Sequence, residues 1–273
     1  MIPYPDIDPD LLTLGPLRIR WYGMMYILGL VATYFLVRKQ EASRKLGLTG
    51  PVVQDLVFYV AVGLIVGARL GYVLFYQYHD YGYYWKHPLE IVATWHGGMS
   101  FHGGMAGGLL AGWWLCRRRG LPFLAVADSV AVTAPVGLGL GRIGNFINGE
   151  LFGRATDVPW AMIFPQGGDV PRHPSQLYEA LLEGAVLFAI LWTLRRRPRP
   201  DGMMVAFFLF FYGLFRFAVE FFREPDAQLG LVAGPFSMGQ VLCFLMMAAG
   251  AALALYARRG ASARGPLSSE AKG

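Results

Sequence analysis

The chain has 273 residues, 55% of them hydrophobic and 15% charged, with a mean hydropathy of +0.41. Soluble domains carry roughly 25% charge, so an ordinary soluble fold is excluded. The formal net charge of +6 does not indicate nucleic-acid binding, because the basic residues fall in short clusters between apolar runs.

Seven runs approach the ~20 apolar residues that cross a bilayer. They lie near residues 21–37, 52–76, 91–116, 123–143, 176–194, 203–222 and 236–256. A spanning segment must satisfy its own backbone polar groups, so each run is expected to be a helix. The reading is all-α: a polytopic membrane protein of one domain, residues 1–273, with about seven transmembrane helices, glycine-rich helix starts and a central polar pocket.

Residues 1–18 have no basic n-region and no early apolar core, so they are expected to be an outer polar arm rather than a cleavable signal. Basic residues then cluster after alternate runs. Arg38, Lys39, Arg44 and Lys45 follow the first; Arg117, Arg118 and Arg119 the third. Arg195, Arg196, Arg197 and Arg199 follow the fifth; Arg258, Arg259, Arg264 and Lys272 the seventh. These fifteen of the 24 basic residues define a cytoplasmic side by the positive-inside rule. Arg18, Arg20, Lys86, Arg154, Arg172 and Arg223 fall on the other side. The N-terminus is then outside, and residues 258–273 form a cytoplasmic tail.

The second run carries Arg69 and a ladder of Gly63, Gly67 and Gly71 that lets another helix approach closely. The loop after it, with Tyr78, His79, Tyr81, Tyr83, Tyr84, Trp85 and His87, suits interfacial anchoring. Next comes Gly97-Gly-Met-Ser-Phe-His-Gly-Gly104. Its paired glycines loosen the start of the third helix and let a ligand approach the backbone. His102, beside Ser100, can accept and return a proton near neutrality. Gly103, Gly104, Gly107, Gly108 and Gly112 continue as packing ladders, as do Gly137 and Gly141 in the fourth run.

Arginine at mid-membrane costs about 2.5–3.5 kcal/mol on insertion scales, so it faces a protein interior or a wet cavity and has a partner. Arg69, Arg142 and Arg216 all lie inside or at the edge of apolar runs. They point to a pocket for a phosphate or carboxylate. Arg142 and Asn145, three apart, share a helix face. Asn148 and Glu150 extend it outward, into an outer loop over residues 144–174. Tyr212, Arg216, Glu220 and Arg223 are spaced four, four and three apart and form one stripe. Glu179 and Glu183, also four apart, are candidate partners for the arginines. Cys116 and Cys243 are expected to be buried and structural, with neither a disulfide nor a metal site.

Five blocks resemble the phosphatidylglycerol–prolipoprotein diacylglyceryl transferase family. They are Trp21-Tyr-Gly23, the glycine–histidine block at 97–104, Gly141-Arg-Ile-Gly-Asn-Phe-Ile-Asn-Gly-Glu150, Arg172-His-Pro-Ser-Gln-Leu-Tyr-Glu179, and Tyr212-Gly-Leu-Phe-Arg-Phe-Ala-Val-Glu-Phe-Phe-Arg-Glu-Pro-Asp226. They run in the family's order between about Trp21 and Gln240. His96 departs from the pattern, where relatives carry an acidic residue, and residues 164–171 form a short segment.

The resemblance implies seven helices in a bacterial inner membrane and a defined reaction. The diacylglyceryl group of phosphatidylglycerol moves to the thiol of the lipobox cysteine of a secreted preprolipoprotein, and glycerol-1-phosphate leaves. Donor lipid, acceptor preprolipoprotein and membrane lipids are the implied partners; no nucleic acid, metal or organic cofactor is called for. Arg142 suits the lipid phosphate through paired guanidinium bonds. Arg216 suits charge building on the thiolate or the departing phosphate. His102 is the candidate base for the thiol, whose nucleophilic form is the thiolate. Tyr22, Asn145, Glu150, Tyr212, Glu220 and Arg223 are expected to contact headgroup or acceptor, or to orient the arginines. A channel or transporter would also use glycine-broken helices and buried charge, but no inverted repeat is evident. A lipid-binding scaffold would keep the arginines without requiring His102 or the Tyr212–Arg223 stripe.

Overall fold

The computed structural model describes residues 2–15, 17–77, 81–224, 231–233 and 236–263. Tyr78, His79, Pro225, Asp226 and most of the expected tail, with Arg264 and Lys272, lie outside the described residues.

The N-terminal arm is more ordered than a polar extension. Strands β1 (Asp10–Leu14) and β2 (Leu17–Arg20) pair antiparallel, with Leu14 opposite Leu17. Gly15 leaves β1 at φ +59°, a conformation open to glycine at no steric cost. Arg18 and Arg20 reach back to Asp10 at 3.6 and 3.3 Å.

Helices follow: α1 (Trp21–Arg44), α2 (Gly50–Phe75), a short α3 (Tyr81–Lys86) in the aromatic loop, α4 (Phe101–Arg119), α5 (Phe123–Ala131) and α6 (Ala134–Ile147). Then come α7 (Ser175–Glu179), a π-helical stretch Ala180–Val186, α8 (Leu187–Leu194), α9 (Met203–Glu220), strands β3 (Leu231–Ala233) and β4 (Phe236–Ser237), and α10 (Met238–Ala263). Five segments are long and apolar enough to cross a membrane: Trp21–Glu41, Gly50–Phe75, Ser175–Leu194, Met203–Glu220 and Met238–Gly260. The pair α5 and α6, bent by 42°, makes a sixth. Among the described residues, length and apolarity alone thus give five such spans, or six with that pair taken as one. The expected span at 91–116 is α4, and its glycines and three terminal arginines lower its apolarity. The α5–α6 bend has a local cause. Pro135 in the first turn of α6 cannot continue the ladder from α5, and Thr133 Oγ1 turns back onto the Val130 carbonyl at 2.8 Å.

The chain folds as two compact units, Met1–Leu36 with Ala127–Gly273, and Val37–Val126. In the first, Val132, Leu187, Leu191 and Met204 form a buried core, flanked by Phe207, Phe208, Phe211, Tyr212 and Phe215. Gly184 of the π-helical stretch lies against Gly139 of α6: a Cβ on Gly184 would sit 2.8 Å from the Gly139 Cα. Gly139 is therefore the close-packing glycine here, and Gly137 faces Gly29 of α1 instead. Asp128 of α5 caps α9. Its carboxylate accepts from the amides of Gly202, Met204 and Val205 at 3.0, 2.9 and 3.0 Å, which takes up donors that a helix start leaves open.

In the second unit α2 packs on α4 through the expected glycines. A Cβ on Gly67 would sit 2.8 Å from the Gly107 Cα, and one on Gly71 2.8 Å from the Gly103 Cα. Turns at Pro88–Ile91 and Thr94–His96 precede α4, and Gly97 and Gly98 have φ of +82° and +74°. Ser100 then caps α4, its Oγ accepting from the Gly103 amide at 3.1 Å. This irregular stretch exposes carbonyls, and Arg69 satisfies them. Its buried guanidinium donates to the carbonyls of Glu90, Ile91, Gly97 and Gly98. Arg69 is thereby a structural clamp, not one of the cations expected to meet an anion.

Candidate active site

Glu179 closes α7, and Glu183 lies four residues on, in the π-helical stretch; neither has any exposed surface. Three arginines converge on Glu179. Arg142 of α6 places Nε 2.7 Å from Oε2. Arg216 of α9 donates from Nη1 to Oε1 at 2.7 Å, and Arg223, just beyond α9, does so at 2.8 Å. Glu220 completes the group, its Oε2 2.9 Å from Arg216 Nη2 and 3.7 Å from Arg223 Nε. Ser237 of β4 donates to Glu220 Oε1 at 2.9 Å. Glu183 stands further off, 3.8 Å from Arg142 Nη2 and 4.0 Å from Arg216 Nη1.

The group is layered. Glu179 and Glu183 are wholly buried, while the side chains of Arg142, Arg216 and Arg223 keep 20, 17 and 13% exposure. The carboxylates of Glu179 and Glu183 have no exposed surface, and the arginine side chains keep some. Three cations face three anions, so the cluster is formally neutral rather than strongly cationic, as the reading of Glu179 and Glu183 as partners allowed. Guanidiniums have five N–H donors each in a rigid fork. Fixed from behind by carboxylates, they are preorganised donors for an oxyanion.

The other candidates of this unit surround the group in different ways. Asn145 and Asn148 both donate through Nδ2 to Glu150 Oε1, at 2.9 and 3.0 Å, and Gln176 Nε2 donates to the Glu150 carbonyl at 2.7 Å. Asn145 and Asn148 thus orient Glu150. Glu150 and Asn148 also line a cavity of about 310 Å³ with Asp8, Pro9, Asp10, Arg20 and Gln166. Tyr22, in the first turn of α1, lies over Gly144 of α6, with its hydroxyl 3.0 Å from that of Tyr26. Tyr212, one turn before Arg216, stacks on Phe208 at 5.6 Å.

His102 belongs to the other unit, in the first turn of α4, and its side chain is exposed. The Phe101 ring meets it edge-on at 5.7 Å. A cavity of about 440 Å³ there is lined by His102, Phe75, Tyr76, Ser100, Gly103 and Ala106.

Sequence reasoning gave His173 no role, yet it ends a short chain of hydrogen bonds. Trp160 Nε1 donates to the Tyr178 hydroxyl at 2.6 Å, and that hydroxyl lies 3.1 Å from His173 Nδ1. Phe222 packs edge-on against the imidazole at 5.2 Å. Burial pushes the His173 pKa below the ordinary histidine value, so the ring is held neutral. With the Tyr178 oxygen accepting from Trp160, its hydrogen is available to a neutral Nδ1. The sequence marks Glu179 and Glu183 as partners of the arginines rather than as site residues. Their signal was two acids one turn apart in an apolar run. Asp128, a lone acid in another apolar run, carried a similar signal that went unread.

The family model for prolipoprotein diacylglyceryl transferase matches residues 9–256. The chain is similar to the phosphatidylglycerol–prolipoprotein diacylglyceryl transferase of Geobacter sulfurreducens, 59% identical over 256 residues that cover 94% of this chain and 97% of that one. The protein of the same name from Pseudomonas aeruginosa is 52% identical over 260 residues, 95% and 97% of the two chains. That from Bordetella avium is 53% identical over 262 residues, 95% and 98%.

Proposed function

The chain belongs to the prolipoprotein diacylglyceryl transferase family, and from that premise we propose how its own groups carry out the transfer. It is a bacterial membrane transferase that moves a diacylglyceryl group from phosphatidylglycerol to a prolipoprotein. The acceptor is the thiol of the lipobox cysteine. Sulfur attacks the diacylglyceryl carbon that carries the phosphate oxygen. The C–S bond forms, the C–O bond breaks, and glycerol-1-phosphate leaves with that oxygen and its electron pair. The thiol proton passes to a base.

Arg142 holds the lipid phosphate, and Arg216 stabilises the charge that builds on the departing phosphate or the thiolate. Arg223, Glu220 and Tyr212 orient Arg216; Asn145, Glu150 and Tyr22 contact the headgroup or the acceptor. His102 is the base. The observation that carries this reading is the convergence of Arg142, Arg216 and Arg223 on wholly buried Glu179, with each arginine side chain still partly exposed. An anionic headgroup at membrane depth calls for cations at that depth, held by partners that do not cover them. The protein sits in the bacterial inner membrane with the N-terminus outside and the C-terminus in the cytoplasm, on the strength of the clustered loop arginines and lysines.

The test is lipid transfer to a lipobox peptide in detergent. Arg142→Ala abolishes transfer, and Arg142→Lys is poor, because a point charge cannot form the paired bonds of a guanidinium. Equal rates for Arg, Lys and Ala at this position, in folded protein, would contradict the assignment.

A further inference from the structure

Glu183 is the one acid of the cluster that does not hold an arginine closely. Glu179 Oε2 and Glu220 Oε2 also lack a well-aligned hydrogen bond, but they lie 2.7 and 2.9 Å from guanidinium nitrogens. Neither oxygen of Glu183 has a hydrogen-bond partner, and its nearest guanidinium contacts are 3.8 and 4.0 Å away. Its exposure is zero. Buried polar groups are hydrogen-bonded almost without exception, and a buried carboxylate left unbonded is costly. When ionised, such a side chain acts on what enters the cluster through its charge. It also sits in a π-helical turn, a feature frequent at functional sites.

We propose that Glu183 discriminates between the anions the cluster meets, weakening its hold on a phosphomonoester dianion more than on a phosphodiester monoanion. This rests on the reading of the cluster as the phosphate site. The donor lipid is a diester with one negative charge. The leaving product is a monoester, which carries about −1.5 to −2 near neutral pH. Coulomb energy is linear in charge, so a fixed anion repels a dianion twice as strongly as a monoanion at the same place. With Glu183 ionised, Arg142, Arg216 and Arg223 are balanced by three carboxylates. Without it, the cluster has one uncompensated cation and retains the product. Glu183 therefore favours product release after each turnover, and it does so without touching the reacting atoms.

The arithmetic makes a sharp test. Glu183→Gln and Glu183→Met both remove the charge. With full-length protein in detergent at pH 8, equilibrium affinities are measured for glycerol-1-phosphate and for a short-chain phosphatidylglycerol. Each variant is expected to bind the lipid about tenfold more tightly and the monoester about a hundredfold more tightly, the second factor being the square of the first. In turnover, KM and kcat fall together and inhibition by added glycerol-1-phosphate sharpens. Equal factors for the two ligands, or no change in either, overturn the proposal alone. Failure of both variants to fold also overturns it, because the argument requires that Glu183 hold nothing in place. Wild-type protein that binds neither ligand, or Arg142→Ala that binds both unchanged, overturns the reading of the site and this proposal with it.

Discussion

His102 presents an exposed imidazole beside Ser100 in the first turn of α4, a position open to proton exchange with whatever enters there. If it takes the acceptor's proton, His102→Gln keeps hydrogen bonding but cannot titrate. Transfer should fall by the roughly 10²–10⁴-fold typical of lost general-base catalysis. Raising the pH should restore part of the rate, since a free thiol ionises near pKa 8.5. Initial rates from about pH 6 to 9 decide it: a variant that keeps more than about a tenth of wild-type activity at neutral pH has lost no base. His173 is the contrasting case. Its neutral ring accepts from Tyr178, and its folded pKa lies below the ordinary value. Between those two values the unfolded chain binds the extra proton, so stability falls as pH falls from about 6.5 toward the folded pKa. His173→Phe keeps the ring and removes the titration. The thermal midpoint should drop more for wild type than for this variant between pH 7.5 and 5.5; equal drops would sink the idea.

The pairing of α2 with α4 depends on backbone contact at the glycines. In Gly67→Ala the new methyl would meet the Gly103 carbonyl oxygen and the Gly107 Cα, backbone atoms that cannot swing aside. Overpacking of this kind costs about 1–3 kcal/mol. Gly82→Ala in α3 meets nothing within 4 Å and should leave the thermal midpoint unchanged or raise it, since alanine is the better helix former, so the pair of variants separates packing from helix propensity. The helices themselves were legible, since apolar length alone places α1, α2, α9 and α10 to within a few residues at most boundaries. The β1–β2 hairpin was not: Leu17-Arg-Ile-Arg20 alternates apolar and polar, but strands of five and four residues are too short for that pattern to stand out. The π-helical stretch was not, because it is set where Gly184 meets Gly139, a contact between residues 45 apart in sequence. For the site, charge in an apolar run announced Arg142 and Arg216. It announced Arg69 equally, and only the carbonyls of the irregular stretch at 90–98 tell the clamp from the anion site.

At the scale of the whole molecule, two of the basic clusters expected on the cytoplasmic side have aromatic neighbours. Arg117 and Arg118 lie 5.8 and 5.3 Å from the rings of Trp113 and Trp114, and Arg195 lies 3.4 Å from that of Trp192. Tryptophan favours the membrane–water interface, and arginine beside it favours the cytoplasmic one. A reporter fused after Leu194 is expected to read as cytoplasmic, and one inserted within residues 153–172 as external. The opposite pattern would reverse the orientation and put the arginine cluster at the wrong face for a secreted acceptor.

The order in which the cluster's charges are synthesised has its own consequence. Arg142 leaves the ribosome first, then Glu179 and Glu183, then Arg216, Glu220 and Arg223. Tallied in that order, the running sum over these six residues is never more than one unit from neutrality, and it ends at zero. A single unpaired charge at mid-membrane costs about 2.5–3.5 kcal/mol on insertion scales. Each helix can therefore be handed to the bilayer with at most one charge awaiting its partner. A chain that made all three arginines before any glutamate would finish with the same cluster, but it would have to carry three unpaired cations into the membrane on the way.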